Sequence, residues 1–202
     1  MEEEDIDFTS IKIGLLGDGA VGKSSICNTF TGIEFADEMV TTVGSARFEK
    51  KITLSNEKEI KLVLWDTAGQ ERFRSAGFRT IRSVQGIALV FDVINRKSFD
   101  NIETWLNEIE DNLDKPCLVL LGNKIDIEED KWNVTQEEID KFVQEKKITY
   151  YPTSAKTNQG INEAFTDMAN LIYKKFGGKK EDNIVITKKK QKDQKNQGKK
   201  CC

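Results

Sequence analysis

The stretch IKIGLLGDGAVGKS, residues 11–24, decides how this chain folds. Its first six residues are a short apolar run that predicts a buried parallel strand. A glycine-rich turn with the pattern G-x-x-x-x-G-K-[ST] follows, and a helix is predicted over residues 23–30. Glycines in such a turn let successive backbone N–H groups converge on phosphate oxygens, and the helix N-terminus adds partial positive charge. The stretch therefore predicts a phosphate-binding loop.

Two side chains of this loop carry specific chemistry. The Lys23 ammonium can reach the β and γ phosphates, and the Ser24 hydroxyl can bind Mg²⁺. The alternative is a strand–helix turn without a ligand, which the complete pattern between a predicted strand and a predicted helix disfavours. The predicted nucleotide-contacting residues of the loop are Gly17, Asp18, Gly19, Ala20, Val21, Gly22, Lys23, Ser24 and Ser25.

The rest of the chain alternates predicted strands with predicted helices. Residues 46–54 alternate in hydrophobicity as a half-buried strand does, and residues 60–65 return as the second arm of a hairpin. Further strands are predicted at 86–93, 118–122 and 148–151, and further helices at 98–109, 135–143 and 162–176. We therefore predict a three-layer α/β fold with a six-stranded, mostly parallel sheet, one antiparallel edge strand and about five helices.

Two of the predicted helices carry capping signals. Ser98 precedes an apolar stripe of helical spacing and is the predicted N-cap of its helix. Thr135 and Glu138 have the spacing of a capping box, in which each side chain bonds to the other residue's backbone N–H.

The motif GNKID, residues 122–126, predicts the base. It follows a predicted strand at its carboxyl end, where an open α/β sheet binds ligands. The Asp126 carboxylate can accept hydrogen bonds from the N1–H and the 2-amino group of guanine, a pair that adenine does not offer. Lys124 can lay its alkyl stem along the base, and Asn123 belongs to the same predicted site. Alone the motif is weak, but after a phosphate-binding loop it predicts guanine nucleotide.

The motif WDTAGQE, residues 65–71, ends another predicted strand. Asp66 is a predicted carboxylate for Mg²⁺, and Gly69 is a predicted N–H donor to the γ phosphate. Gln70 is a polar side chain able to orient the attacking water.

Four motifs together make the chain resemble a Ras-superfamily small GTPase and, within that superfamily, the Rab family. They are GDGAVGKS at 17–24, WDTAGQERF at 65–73, GNKID at 122–126 and TSAK at 153–156. The likeness covers about residues 9–176, and it implies the fold of a P-loop GTPase domain.

The resemblance assigns further residues. Thr42 lies 18 residues after Ser24, the family spacing for the threonine that binds Mg²⁺ and the γ phosphate, although Thr41 is its neighbour in the same loop. Phe35 matches the aromatic residue that packs against the edge of guanine. The backbone N–H groups of Ser154, Ala155 and Lys156 are expected to contact the guanine O6 atom, and glycine at position 19 is expected to permit assisted hydrolysis.

The sequence departs from the family where Rab proteins meet their partners. The family usually has I-G-V-D-F after the switch threonine, whereas residues 43–48 read VGSARF, and the spacing from Thr42 to Asp66 is one residue longer. Residues 80–84 read TIRSV where the family usually has Y-Y-R-G-A. Of the family's effector-facing aromatic triad only Trp65 remains, with either Arg47 or Phe48 at the second place and Thr80 at the third.

Composition separates the chain into an acidic globule and a basic tail. Its 202 residues, 38% hydrophobic and 32% charged, suit one domain. Residues 1–176 hold 22 Lys and Arg against 31 Asp and Glu, whereas residues 177–202 hold nine Lys against three acids. We expect an acidic extension over residues 1–8, a domain over residues 9–176, and a disordered tail that meets an anionic surface. The lysines of the tail lack interleaved aromatics, so no nucleic-acid partner is expected.

Several protein classes are excluded or disfavoured. The chain has no histidine, so catalysis by histidine and metal sites with histidine ligands are excluded. The acidic start MEEED is unlike a signal peptide, and no apolar run is long enough for a membrane span, so a cytosolic protein is expected. Cys27 and Cys117 are expected to be reduced core thiols. The closing pair Cys201 and Cys202 resembles the Rab signal for two geranylgeranyl groups.

The resemblance thus implies a prenylated switch that binds GTP or GDP with Mg²⁺ and hydrolyses GTP slowly. Its expected role is in vesicle trafficking on the cytosolic face of intracellular membranes. The expected partners are an exchange factor, a GTPase-activating protein, escort and GDP-dissociation-inhibitor chaperones, and effectors of an atypical kind. The alternatives are a nucleotide-binding scaffold with unresponsive switches, a Ras- or Rho-type GTPase, and a P-loop ATPase, the last disfavoured by the GNKID motif.

Overall fold

A computed structural model describes residues 9–36, 42, 44–69 and 74–177, with residues 74–76 described by their backbone alone. The predictions for Gln70, Cys201, Cys202 and residues 1–8 lie outside the described residues. So does almost all of the predicted tail.

Six strands form one sheet, as the alternation of apolar patterns predicts. Its spatial order is β2-β3-β1-β4-β5-β6, and β2 is an edge strand and pairs antiparallel with β3, while the other described pairings are parallel. The strands are β1 (Ser10–Leu16), β2 (Ser45–Thr53), β3 (Glu59–Thr67), β4 (Gly86–Asp92), β5 (Cys117–Asn123) and β6 (Thr149–Thr153). The predicted fold class is confirmed.

Helices cover both faces of this sheet. They are α1 (Lys23–Thr31), α2 (Arg74–Thr80), α3 (Arg96–Asp100), α4 (Ile102–Asn112), α5 (Gln136–Lys146) and α6 (Ile161–Phe176), with a 3₁₀ turn at Glu129–Lys131. The last residue before α4, Asn101, has helical backbone angles, so α3 and α4 follow each other as one interrupted helix. Counted this way, the described residues contain five helices, in agreement with the predicted total, although no position had been predicted for α2.

Two apolar layers hold the helices against the sheet. On one face α1 and α6 meet, with the rings of Phe30 and Phe165 4.7 Å apart between their centroids. On the other face α2, α4 and α5 pack against β4 and β5, and Phe91 meets Phe99 at 5.0 Å. The central strand β4 is buried along its whole length, as expected for a parallel strand covered on both sides.

The predicted helix caps have different outcomes. The capping box of Thr135 and Glu138 is confirmed at the start of α5. The N-cap prediction for Ser98 is wrong, because the helix begins earlier and Asn95 caps α3 by accepting a hydrogen bond from the Ser98 backbone N–H. The Ser98 hydroxyl is buried and instead accepts a hydrogen bond from the Asp92 backbone N–H at 3.0 Å.

The parallel strands end at one edge of the sheet, and a close backbone contact fixes the first loop there. Gly17 directly follows β1 with φ of 140°, and a Cβ atom placed on it would lie 2.1 Å from the Val90 carbonyl oxygen of β4. Only glycine therefore lets the chain turn from β1 toward α1 at this point. Among the residues described, no helix is long and apolar enough to cross a membrane.

Candidate nucleotide-binding site

A cavity of about 520 Å³ lies at the carboxyl edge of the sheet, between the predicted phosphate loop and the GNKID segment. It gathers predicted site residues from five separate segments of the chain. Those that line it are Gly19, Ala20, Gly22, Lys23, Ser24, Ser25, Phe35, Thr42, Gly69, Asn123, Lys124, Asp126, Ala155 and Lys156. Ala36, Thr67 and Ile127 also line it and were not predicted. Gly17, Asp18, Val21, Asp66 and Ser154 are not among the lining residues, but each of them bonds to a residue that is.

Lys23 is buried at the floor of the phosphate loop. Its Nζ atom donates hydrogen bonds to the carbonyl oxygens of Gly17 and Asp18 at 2.8 and 2.7 Å. Burial lowers the pKa of the Lys23 ammonium to about 8, against the opposing attraction of Asp66 and Asp18. An ammonium has three donors, so one remains for a phosphate oxygen.

Asp66 joins three segments through hydroxyl groups. Its Oδ2 atom accepts hydrogen bonds from the Ser24 hydroxyl at 2.6 Å and from the Thr42 hydroxyl at 3.3 Å, and the two hydroxyls are 2.8 Å apart. Burial raises the pKa of the Asp66 carboxyl, while the bond from Ser24 and the charge of Lys23 lower it. The buried Oδ1 atom has no hydrogen-bond partner among the described residues.

These oxygens fit a magnesium ion. Mg²⁺ takes oxygen ligands and is usually held by one or two protein groups together with substrate phosphates and water. A buried carboxylate with an unpaired oxygen, next to two hydroxyls and a phosphate-binding lysine, supplies that donor set. The same carboxylate is poorly stabilised by the protein alone, as its raised pKa indicates.

Hydrogen bonds from the GNKID segment tie the base side of the cavity to the phosphate loop. The buried Asn123 amide donates to the Val21 carbonyl at 2.9 Å and accepts from the Ala155 N–H at 3.2 Å. The Asp126 carboxylate accepts a hydrogen bond from the Ser154 hydroxyl at 2.6 Å. Asn123 thus connects three of the four motifs, those at 17–24, 122–126 and 153–156. Ser154 orients the acid that is predicted to bind guanine.

Two predicted residues flank the opening. Phe35 is 37% exposed and lines the cavity rim. Gly69 approaches the phosphate loop so closely that a Cβ atom there would lie 2.4 Å from both the Asp18 carbonyl oxygen and the Lys23 Nζ atom. Glycine at this position therefore lets the loop after β3 lie directly against the phosphate loop.

The hydrogen bonds that hold the Asp18 side chain were not predicted. Its carboxylate accepts hydrogen bonds from the Asn101 amide at 2.6 Å and the Trp105 indole N–H at 3.0 Å. Trp105 is buried and its ring lies 6.4 Å from that of Phe78 in α2. No local pattern signals this contact, because the partners are more than 80 residues apart.

The strand ladder decides which residue stands opposite Trp65. Arg47 pairs with Trp65 in the antiparallel ladder of β2 and β3, so both side chains lie on the same face of the sheet. Phe48 pairs with Leu64 and packs against the core, so it does not take the outward place. Arg47 is the fifth residue after Thr42, and the ladder is unbroken from Ser45 to Thr53.

Comparison with known proteins agrees with this geometry. The family model described as Ras family matches residues 12–174. The chain is 40% identical over 174 residues to "Ras-related protein Rab-18" of Lymnaea stagnalis and 38% identical over 173 residues to "Ras-related protein Rab-13" of Mesocricetus auratus. Each alignment covers 85% of this chain and 84% of the other protein. "Ras-related protein Rab-5B" of Plasmodium falciparum (isolate 3D7) is 35% identical over 176 residues.

The chain belongs to the Rab family of small GTPases, within the Ras family. As a member it binds GTP and GDP with Mg²⁺, hydrolyses GTP to GDP, and regulates vesicle trafficking. Its partners are therefore of the kinds that Rab proteins share: exchange factors, activating proteins, GDP-dissociation inhibitors and effectors.

The geometry around Asp66 leads to a first prediction. In Asp66→Asn the charge beside Ser24 is lost, so Mg²⁺ affinity should fall by about 10- to 100-fold, the usual effect of removing a supporting group. Chelating Mg²⁺ should accelerate GDP release from the wild-type protein and have little further effect on Asp66→Asn. The matched control is Asp100→Asn, which neutralises an exposed carboxylate paired with Arg96. Equal sensitivity of Asp66→Asn and wild type to chelation would contradict the prediction.

Proposed function

We propose that this Rab-family protein is a lipid-anchored switch whose described cavity holds GTP, and whose partner-facing surface differs from that of its relatives. The observation that carries the proposal is the convergence of Lys23, Ser24, Thr42 and Asp66 at one end of a cavity that has Asp126 at the other. This spacing offers phosphate and metal chemistry at one end and recognition of a guanine edge at the other.

The proposed roles follow the layout of the cavity. Lys23 and Gln70 are the catalytic residues, and Ser24, Thr42 and Asp66 hold Mg²⁺, which when bound acts as a Lewis acid on phosphate oxygens. The nucleotide contacts are assigned to Gly17, Asp18, Gly19, Ala20, Val21, Gly22, Lys23, Ser24, Ser25, Phe35, Thr42, Gly69, Asn123, Lys124, Asp126, Ser154, Ala155 and Lys156.

The proposed reaction is in-line attack of water on the γ phosphate. Gln70 orients that water, and the Lys23 ammonium neutralises charge on the phosphate oxygens, since it is already held 2.7–2.8 Å from two loop carbonyls. Turnover is slow, on the order of 10⁻⁴ s⁻¹, until an activating protein supplies an arginine.

The proposed switch depends on the γ phosphate. Thr42 and Gly69 border the cavity from the loops that precede β2 and follow β3, so a terminal phosphate can hold both loops at once. Hydrolysis removes that contact, and effectors respond to the difference.

Single-turnover hydrolysis tests the enzymatic part of this proposal. The full chain, loaded with GTP and Mg²⁺, should release phosphate slowly, and Gln70→Leu should reduce the rate by at least about tenfold because the water is no longer oriented. Both proteins should bind GTP with similar affinity, measured by equilibrium titration with a fluorescent analogue. Tight GTP binding without hydrolysis in either protein would favour the alternative, a nucleotide-binding scaffold.

The lipid anchor is proposed for the basic tail, residues 177–202. Its nine lysines favour an anionic leaflet, and two prenyl groups on Cys201 and Cys202 would anchor the protein stably where one would not. This arrangement would place the acidic extension of residues 1–8 and the domain of residues 9–176 on the cytosolic face of intracellular membranes. Chaperones that cover the lipids would return the protein to the cytosol.

Cell fractionation tests the anchor. The full chain should sediment with membranes, whereas the double variant Cys201→Ser/Cys202→Ser should stay in the supernatant because it has no prenylation site. Cys117→Ser is the matched control, since Cys117 lies in β5 within the folded part. Equal sedimentation of the double variant and wild type would rule out the proposed anchor.

The outward face of β2 and β3 supports the proposal of atypical effectors. Arg47 stands opposite Trp65 and forms an ion pair with Glu49, and Lys61 pairs with the same carboxylate at 3.4 Å. A charged cluster therefore borders Trp65 where the family has an aromatic residue. An apolar partner surface would have to withdraw the exposed Arg47–Glu49 ion pair from water, which is unfavourable.

Effector capture tests this surface. An effector domain that binds the aromatic triad of Rab proteins should not retain the GTP-loaded wild type. It should retain Arg47→Phe/Thr80→Tyr, since that variant restores two aromatic side chains. Lys51→Phe is the matched control because Lys51 is exposed on the same strand outside the triad. GTP-dependent retention of the wild type would contradict the proposal.

A further inference from the structure

A buried carboxylate outside the predicted site lies against one of the predicted base-contacting residues. Asp92 is the last residue of β4, and its Oδ2 atom is 2.5 Å from the Lys124 Nζ atom. The Asp92 side chain is 5% exposed and that of Lys124 is 35% exposed. The ion pair is thus sheltered on the acid side and open to the cavity on the lysine side.

The surrounding backbone holds the Asp92 carboxylate in one orientation. Its Oδ1 atom accepts a hydrogen bond from the Ile94 N–H at 3.0 Å, so each carboxylate oxygen has its own partner. The Asp92 N–H donates to the Ser98 hydroxyl, and Asp92 is in register with Asn123 of β5. Asp92 is therefore a rigid anchor at the junction of two strands and a helix start.

Lys124 is held between this anchor and the phosphate loop. Its Nζ atom also donates to the Ala20 carbonyl at 3.2 Å, and its backbone has a φ of 71°, a value uncommon for a residue other than glycine. A free lysine side chain samples many rotamers, and ordering it on ligand binding costs entropy. Contacts at Asp92 and Ala20 order it in advance.

We propose that Asp92 is a positioning residue for the nucleotide: it holds Lys124 against the phosphate loop and so slows nucleotide release. The proposal rests on the assignment of this cavity to guanine nucleotide.

An ion pair kept only for stability would be an inefficient choice at this place. Withdrawing a carboxylate from water carries a large desolvation cost, and apolar residues of similar size often stabilise a fold as well or better. The acid is instead located where it fixes a cavity-lining side chain, and the loop carbonyl that shares the ammonium belongs to the same cavity wall.

Release of a fluorescent GDP analogue from the full chain, in the presence of Mg²⁺ and excess unlabelled GDP, tests the proposal. Asp92→Asn should accelerate release by about tenfold, in line with loss of one partner of a sheltered charge pair. Lys124→Met keeps an unbranched apolar stem and removes the ammonium, and it should accelerate release to a similar extent. Glu103→Gln is the matched control, because it breaks a pair of equal length with Lys146 away from the cavity, and it should release GDP like wild type.

The double variant Asp92→Asn/Lys124→Met distinguishes positioning from a general structural effect. If Asp92 acts through Lys124, the double variant releases GDP no faster than Lys124→Met alone. The proposal would be overturned if the rate increases of the two single variants multiplied in the double variant. It would also be overturned if the faster release from Asp92→Asn only paralleled a loss of thermal stability. A rate of GDP release from Lys124→Met equal to that of the wild type would overturn it as well. Because Lys124 is the more exposed partner, this variant tests the ion pair even if Asp92→Asn does not fold. Failure of the wild type itself to retain GDP would contradict the nucleotide assignment as well.

Discussion

The parallel pairing of β1 with β3 and β4 is the constraint on which the rest of this molecule depends. It brings the carboxyl ends of three strands to one edge of the sheet, where β5 and β6 also end. At that edge the backbone of Gly17 passes so close to the Val90 carbonyl that no side chain fits. This contact fixes the position at which the phosphate loop leaves β1. Lys23, at the start of α1, and Asp66, near the end of β3, then lie close enough for their charges to interact.

The protein alone does not fully compensate the charges of Lys23 and Asp66. Burial lowers the pKa of Lys23 to about 8 and raises the pKa of Asp66, so each charge is disfavoured where it stands. Their attraction for each other offsets only part of that cost. An anion next to Lys23 and a cation next to Asp66 would stabilise both charges together. A phosphate group and Mg²⁺ bound there would supply these compensating charges. The expected affinity for phosphate and Mg²⁺ therefore depends on the burial of Lys23 and Asp66 as well as on the number of contacts.

The sequence was sufficient for the sheet and its edge hairpin, because strand periodicity and the glycine-rich turn are local signals. It also indicated most of the residues that line the cavity, but Ala36, Thr67 and Ile127 were missed. It was not sufficient where a side chain can bond either to a neighbour in sequence or to a residue of another element. Ser98 has the chemistry of an N-cap, but Asn95 precedes it and the Ser98 hydroxyl is taken up by β4. The partners of Asp18 and Asp92 come from segments brought near by the fold, and no spacing rule indicates them. α2 was not predicted at all, since its sequence has no clear apolar stripe.

The alternation of side chains along β2 explains how the cavity can stay ordinary while the outer surface changes. Neighbouring residues of a strand face opposite sides of the sheet, so Ala46, paired with Asp66, and Arg47, paired with Trp65, belong to different environments. The proposed exchange of an aromatic residue for arginine at position 47 would therefore alter the face that carries Trp65, on the opposite side of the strand from Ala46. The turn at 54–58 likewise lies beyond the last ladder pair, Thr53 with Glu59, so a change of length there would shift no register. Partner choice and nucleotide chemistry can therefore diverge independently within one fold.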